Sequence, residues 1–265
     1  MYGTMNLDET AVGHLLRIQD VIPAMERALA DFSSGRIVQP MRVMLPVAKH
    51  QGFLGIMPAY IITEVRTAAV SAVATECLAK PNASVLGIIG SGVQARSHLE
   101  ALRLVRDFGE VRVWSPNRSV EFARERGVHA AASAEEAVQG ADVVVTATTS
   151  QTPVLCGEWL SPRVHINAVG APRPDWRELD DEVLRRARVY VDSREAVREE
   201  SGDVMAAGRI LAEVGEVVAG TKPGRQSAEE VTLFKSLGLA VEDVATAELV
   251  YRTALEEASS PHSMS

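Results

Sequence analysis

From Ser84 onward the chain alternates short apolar runs with amphipathic, charged stretches, and this rhythm constrains the fold more than any other feature. The runs are SVLGIIG, EVRVWS, GVHAAA, ADVVVTAT, RVHINAVG and ARVYVD. Parallel strands need crossovers long enough to hold a helix, so strands alternating with helices predict an α/β fold with a doubly wound parallel sheet. Local punctuation agrees: Gly127 stands where one helix should stop, and Ser133 with Glu136 forms a capping box ahead of the next. The first run leads into Gly90-Ser91-Gly92-Val93-Gln94-Ala95, a GxGxxA motif at a strand-to-helix turn. The first glycine permits the turn, the second lets the backbone approach a pyrophosphate, and the small third residue allows close helix–strand packing. Gly90, Gly92, Val93 and Gln94 are therefore expected to form a Rossmann-type dinucleotide site; the plain alternative is a tight turn that merely needs glycine.

The end of the second run bears on which dinucleotide. A carboxylate there would accept hydrogen bonds from a ribose hydroxyl, whereas a 2′-phosphate needs positive charge. The chain has Trp114-Ser115-Pro116-Asn117-Arg118-Ser119. With Arg118 as a phosphate fork and Ser115, Asn117 and Ser119 as neutral donors, the expectation is NADP(H) in preference to NAD(H). The carboxyl ends of the fourth and fifth runs, Thr146-Ala147-Thr148 and Val169-Gly170, are expected to touch the nicotinamide half, unless they simply terminate strands.

The rest of the chain reads as a smaller α+β unit built from both ends, residues 1–81 and 233–265, beside a Rossmann domain at 82–232. Helical spacing runs from Asp20 to Phe32, with Asp20 as cap and Pro23 in the first turn. β-prone runs follow at Ile37–Pro46 and Gly52–Met57, then an Ala-rich helix at Thr67–Ala79. After about Thr232 the pattern is helical through Leu249 and Tyr251, and this tail is expected to pack back on the N-terminal unit. Arg42 and Arg66 lie in apolar surroundings, where an unpaired guanidinium is costly. A carboxylate ligand or a structural salt bridge would satisfy either one.

Composition narrows the function classes. With 35 acidic against 27 basic residues the formal charge is −8 and the pI near 5.4, so nucleic acid and anionic membranes are not expected partners. Cys77 and Cys156 have no metal or disulfide spacing, no leader or membrane-spanning run is visible, and the default location is cytoplasmic. The six histidines show no metal-ligand spacing and there is no GxSxG elbow, so no metal site is expected, and His98 and His165 read as ordinary helix and strand positions.

Taken with HINAVG at 165–170, RPDWRELD at 173–180, ESGD at 200–203 and FKSLG at 234–238, the GSGVQA turn resembles the ornithine cyclodeaminase/mu-crystallin family, nearest its ketimine reductase branch. The stretches FSSG, QPMR, KHQGFLGIMPAY and RTAAVSA extend the resemblance over nearly the whole chain. It implies a homodimer, with the unit built from both chain ends binding substrate and forming the dimer contact. The implied reaction is NADPH-dependent reduction of a cyclic ketimine such as piperideine- or pyrroline-2-carboxylate. The alternatives are an alanine-type dehydrogenase, or a protein that binds NADPH and a small carboxylate with little turnover. By position, the resemblance makes Arg42 and Arg66 the catalytic-site arginines that hold the substrate carboxylate, and Asn117, Arg118 and Ser119 the NADPH phosphate segment. Two departures stand out. Pro172 replaces an aspartate of the ornithine-cyclising members, which argues against ornithine deamination. Between Tyr60 and Ile61 the chain lacks several tens of residues that family members carry, including a substrate-contacting lysine and a Ser-His pair; none of Lys49, Lys80, Lys222 and Lys235 matches that lysine.

Overall fold

A computed structural model describes residues 7–37, 45–47, 52–54 and 60–259. Helix α1 (Glu9–Leu15) is capped by Asp8, whose side chain accepts from the Ala11 amide at 2.8 Å. Helix α2 (Ile18–Ser33) buries Val21, Ile22, Met25, Ala28 and Leu29 on one face, as the spacing predicts. It starts before Asp20, which pairs with Arg17 at 2.7 Å instead of capping, so Pro23 lies inside the helix. Strands β1 (Leu45–Val47) and β2 (Gly52–Leu54) pair antiparallel, Leu45 opposite Leu54; β1 runs one residue past the first β-prone run and β2 lies within the second. Arg42 lies outside the described residues.

Helix α3 (Tyr60–Leu78) begins well before Thr67, and every residue from Arg66 to Thr75 is buried. Its alanines (Ala68, Ala69, Ala72, Ala74) let α2 and the first sheet helix approach on different sides, which is why an apolar pattern without a polar face is stable here.

The six runs become β3 (Val85–Ile89), β4 (Glu110–Trp114), β5 (His129–Ala130), β6 (Val143–Thr146), β7 (His165–Ala168) and β8 (Ala187–Val191). Between and after them lie α4 (Val93–Val105), α5 (Ser119–Arg126), α6 (Ala134–Val138), α7 (Asp181–Arg186), α8 (Arg194–Glu200) and α9 (Gly202–Ala207). The chain continues through β9 (Ala212–Glu213), α10 (Val214–Val218), β10 (Val231–Lys235) and α11 (Ala240–Ser259). Gly127 ends α5 at φ +64°, and Ser133 caps α6 by accepting from the Glu136 amide. The return bond of the box goes to Ala132 N, not to the cap residue.

All eight strands are parallel, in the order β5-β4-β3-β6-β7-β10-β8-β9. This corrects the six-strand expectation and the boundary at 232/233. β10 sits between β7 and β8, so a division between Thr232 and Leu233 would cut a strand in the middle of the sheet. The sequence VTLFK is buried at all five positions, and the lysine and threonine masked its strand character. The helical tail starts only at Ala240 and packs against α2 and α3, as expected of it.

Candidate functional site

The order of the sheet reverses at β3, which has β4 on one side and β6 on the other, so a crevice opens at their carboxyl ends. The GxGxxA turn lies there. Gly90 adopts φ +123°, donates its amide to Trp114 O at 2.8 Å, and would clash with the Ala147 carbonyl oxygen if it carried a Cβ. Gly92 behaves differently: it is exposed, a Cβ would meet nothing within 4 Å, and it opens α4 without a side-chain cap. The first amides of that helix have no intrahelical acceptor, and the helix dipole favours an anion in front of them. Gln94 Oε1 is buried without a partner among the described residues, and Ala95 is fully buried against the sheet. The open turn and the uncapped amides fit a pyrophosphate.

At the end of β4, Ser119 is buried; its hydroxyl donates to Ser115 O and accepts from Ser115 N. Ser115 Oγ donates to Ser91 Oγ at 2.8 Å. These two serines therefore hold the loop in shape, and Asn117 and Arg118 are the exposed groups. Among the described residues the Arg118 guanidinium pairs at the surface with Glu121 at 3.1 Å, a contact weak enough for a phosphate to displace.

On the other side of the crevice, the sequence expectation needs correcting for Thr146. This residue is fully buried and its hydroxyl donates inward to Glu178 Oε2 at 2.8 Å. Glu178 also accepts from Gly170 N at 2.9 Å on the same oxygen, and from Thr148 N and Oγ1 at 2.7 and 2.6 Å on the other. Ala147, Thr148 and Val169 stay partly exposed, and Gly170 is buried against Glu178. Beneath them, Lys235 donates to the Gly170 carbonyl and pairs with Asp203 at 3.2 Å, both side chains being fully buried. Asp203 in turn accepts from the amides of Glu178 and Leu179. The RPDWRELD, ESGD and FKSLG segments thus converge on one network, which sequence reasoning quoted without assigning roles. The signal was available: Glu, Asp and Lys within otherwise apolar or loop-packed motifs must find one another when buried.

Arg66 shows the salt-bridge alternative. It is 2% exposed, with Nη1 2.9 Å from Glu242 and Nε 2.9 Å from Asp243 at the start of α11. Burial opposes its charge, but the two carboxylates outweigh that and raise its pKa. Burial pushes Glu242 up to about 8 against the pull of Arg66. Two acids around one guanidinium leave no surplus positive charge for a ligand carboxylate. His98 lies between Gln94 O and Ser71 Oγ, and His165 between Thr232 Oγ1 and Asn167 Oδ1; burial drives them down to about 4 and about 3.

A switch-point crevice with an uncapped glycine turn on an all-parallel sheet defines a Rossmann-type α/β protein. The chain belongs to the ornithine cyclodeaminase/mu-crystallin family, whose profile matches residues 3–63 and 59–258. It is 46% identical to the ketimine reductase mu-crystallin of Macropus fuliginosus over 287 residues, covering 87% of this chain and 91% of that protein. Its structure is similar to Thermococcus litoralis Δ1-pyrroline-2-carboxylate reductase in complex with NADH and L-proline, with TM-score 0.87 and 33% identity over 95% of this chain and 98% of that one. An archaeal alanine dehydrogenase dimer with bound NAD matches at TM-score 0.85 and 33% identity, covering 95% and 96%. The profile breaks at residues 59–63, and the 287-position alignment takes up only 87% of 265 residues. Both findings agree with a missing stretch next to Tyr60.

Proposed function

We propose that this chain is an oxidoreductase that uses a nicotinamide cofactor, NADP(H) in preference to NAD(H), to reduce a cyclic ketimine such as piperideine- or pyrroline-2-carboxylate. The observation that carries the reading is the open, uncapped Gly90–Gly92 turn at the switch point, in a chain whose relative is solved with NADH and L-proline. In this reading the amides opening α4 at Val93 and Gln94 hold the pyrophosphate, Arg118 and Asn117 take the 2′-phosphate, and Ala147, Thr148, Val169 and Gly170 line the nicotinamide half. Arg42 takes the substrate carboxylate, because Arg66 is committed to Glu242 and Asp243.

When bound, the reduced cofactor supplies the hydride. The chain's contribution is orientation and exclusion of water. A substrate bound as the iminium brings its own proton, so a general acid on the protein is dispensable, which suits a chain without the family lysine. The working form is a homodimer in the cytoplasm. A second reading, tight NADPH binding with little turnover, is favoured by the stretch missing beside Tyr60. Loss of NADPH absorbance with piperideine-2-carboxylate, run beside NADH, separates the two. Ketimine-dependent oxidation that prefers NADPH is expected, with the preference lost in Arg118→Ala. NADPH binding without oxidation selects the second reading.

A further inference from the structure

Glu178 is 0% exposed, yet among the described residues no lysine or arginine bonds to its carboxyl group. Its four partners are donors on the carboxyl ends of β6 and β7: Thr146 Oγ1, Thr148 N, Thr148 Oγ1 and Gly170 N. One backbone amide approaches each oxygen. Neither oxygen can therefore become an NH2 group without setting donor against donor, whereas a carboxylate accepts all four. Burial raises its pKa above the usual carboxylate value, and Lys235 and the threonine donors oppose only part of that rise; the four donors around it, with no acceptor among them, are what favour the charged form. Counting Asp203, which Lys235 contacts directly, two carboxylates share one ammonium. Among the described residues, the ends of β6 and β7 thus rest on a buried cluster with one negative charge in excess.

We propose that Glu178 is a positioning residue for the nicotinamide half of the crevice, and that its charge makes the site prefer the oxidised, positively charged ring over the neutral reduced one. The proposal rests on the cofactor reading above. Two strand ends clamped through one side chain keep a fixed spacing for a flat ring to lie across. A buried unit charge below them acts on a cationic ring through a medium far less screening than water. It stabilises only the oxidised form, so it changes the ratio of the two affinities. Loss of a hydrogen bond alone would weaken both forms together.

The experiment measures dissociation constants of NADP+ and NADPH by calorimetry for the full chain and two variants, below their unfolding temperatures. Glu178→Gln removes the charge, and Thr148→Val keeps the charge while removing one hydroxyl donor. The expected result for Glu178→Gln is an NADP+/NADPH affinity ratio about tenfold lower than wild type. For Thr148→Val both forms weaken and the ratio stays within about twofold. Equal weakening of both forms in Glu178→Gln overturns the electrostatic role, as does a ratio change of the same size in Thr148→Val. If Glu178→Gln does not fold, Glu178→Asp replaces it: the charge remains but the clamp is shortened, so both affinities fall at constant ratio, and a shifted ratio overturns the proposal. A wild-type chain that binds neither nucleotide overturns the cofactor reading itself.

Discussion

Replacing Lys235 by methionine isolates the buried network. The side chain is fully buried at the end of β10, donates to the Gly170 carbonyl and pairs with Asp203 at 3.2 Å. Methionine fills similar volume, so the loss is electrostatic rather than steric. Asp203 keeps the amides of Glu178 and Leu179 but loses the one counter-charge it pairs with among the described residues, in a dry environment already holding Glu178. Breaking one side of a buried pair costs about 3–5 kcal/mol, and for a chain of this size each kcal/mol moves Tm by about 2–4 °C. A fall of about 10 °C by calorimetry is expected. Arg252→Ala, which removes an exposed pair with Glu248, should move Tm by no more than about 2 °C. The double variant Lys235→Met, Asp203→Asn should recover part of the loss, because the amide still accepts from the backbone while the stranded charge is gone. A Lys235→Met chain within 2 °C of wild type would refute the claim that this pair carries its charge in the dry core.

Three further outcomes follow from the geometry. Gly90→Ala forces a Cβ into the Ala147 carbonyl at φ +123° and should destabilise by about 3 kcal/mol in urea unfolding. Gly92→Ala meets open space and should keep its Tm while losing nucleotide affinity; equal stability of both variants would contradict this assignment. The part of the stability set by Glu242, His98 and His165 should peak near pH 6.5. Glu242, raised to about 8 by burial, loses its proton only in the unfolded chain between about pH 4.5 and 8, so stability falls as pH rises through that window. His98 and His165, lowered to about 4 and about 3, take up protons only in the unfolded chain below about pH 6.5, and among these three groups two protons outweigh one there; a stability loss in Glu242→Gln that does not shrink between pH 5 and 8 relative to wild type would contradict the Glu242 assignment. Arg42→Ala should lower kcat/KM for the ketimine by about tenfold or more and leave NADPH affinity unchanged, since it removes one charge-assisted contact to substrate; unchanged kinetics would take Arg42 out of the site.

The parallel sheet and the glycine turn were legible because periodicity and backbone constraint are local: each apolar run and each glycine reports on its own few residues. β10 was not, because Thr232 and Lys235 break the apolar pattern and are satisfied by groups far away in the chain, Thr232 by Leu78 O and His165, Lys235 by Asp203 and Gly170. The same reason hid the roles of Glu178 and of the Arg66 cluster. Their partners are tens to more than a hundred residues distant, and a sequence shows a buried charge without showing what neutralises it. Ser119 opens α5 just after β4 and Thr146 ends β6, but whether a hydroxyl faces the crevice or the interior depends on neighbours that only the fold supplies.

The reaction proposed for this chain is hydride transfer from a nicotinamide cofactor to the C=N carbon of a cyclic imino acid. Its most direct test incubates the 265-residue chain with piperideine-2-carboxylate and NADPH deuterated at either face of nicotinamide C4, and weighs the product. Pipecolate is expected to carry one deuterium at the α-carbon from one of the two cofactors and none from the other. Unlabelled product from both, or no product from a chain that binds NADPH, would contradict it.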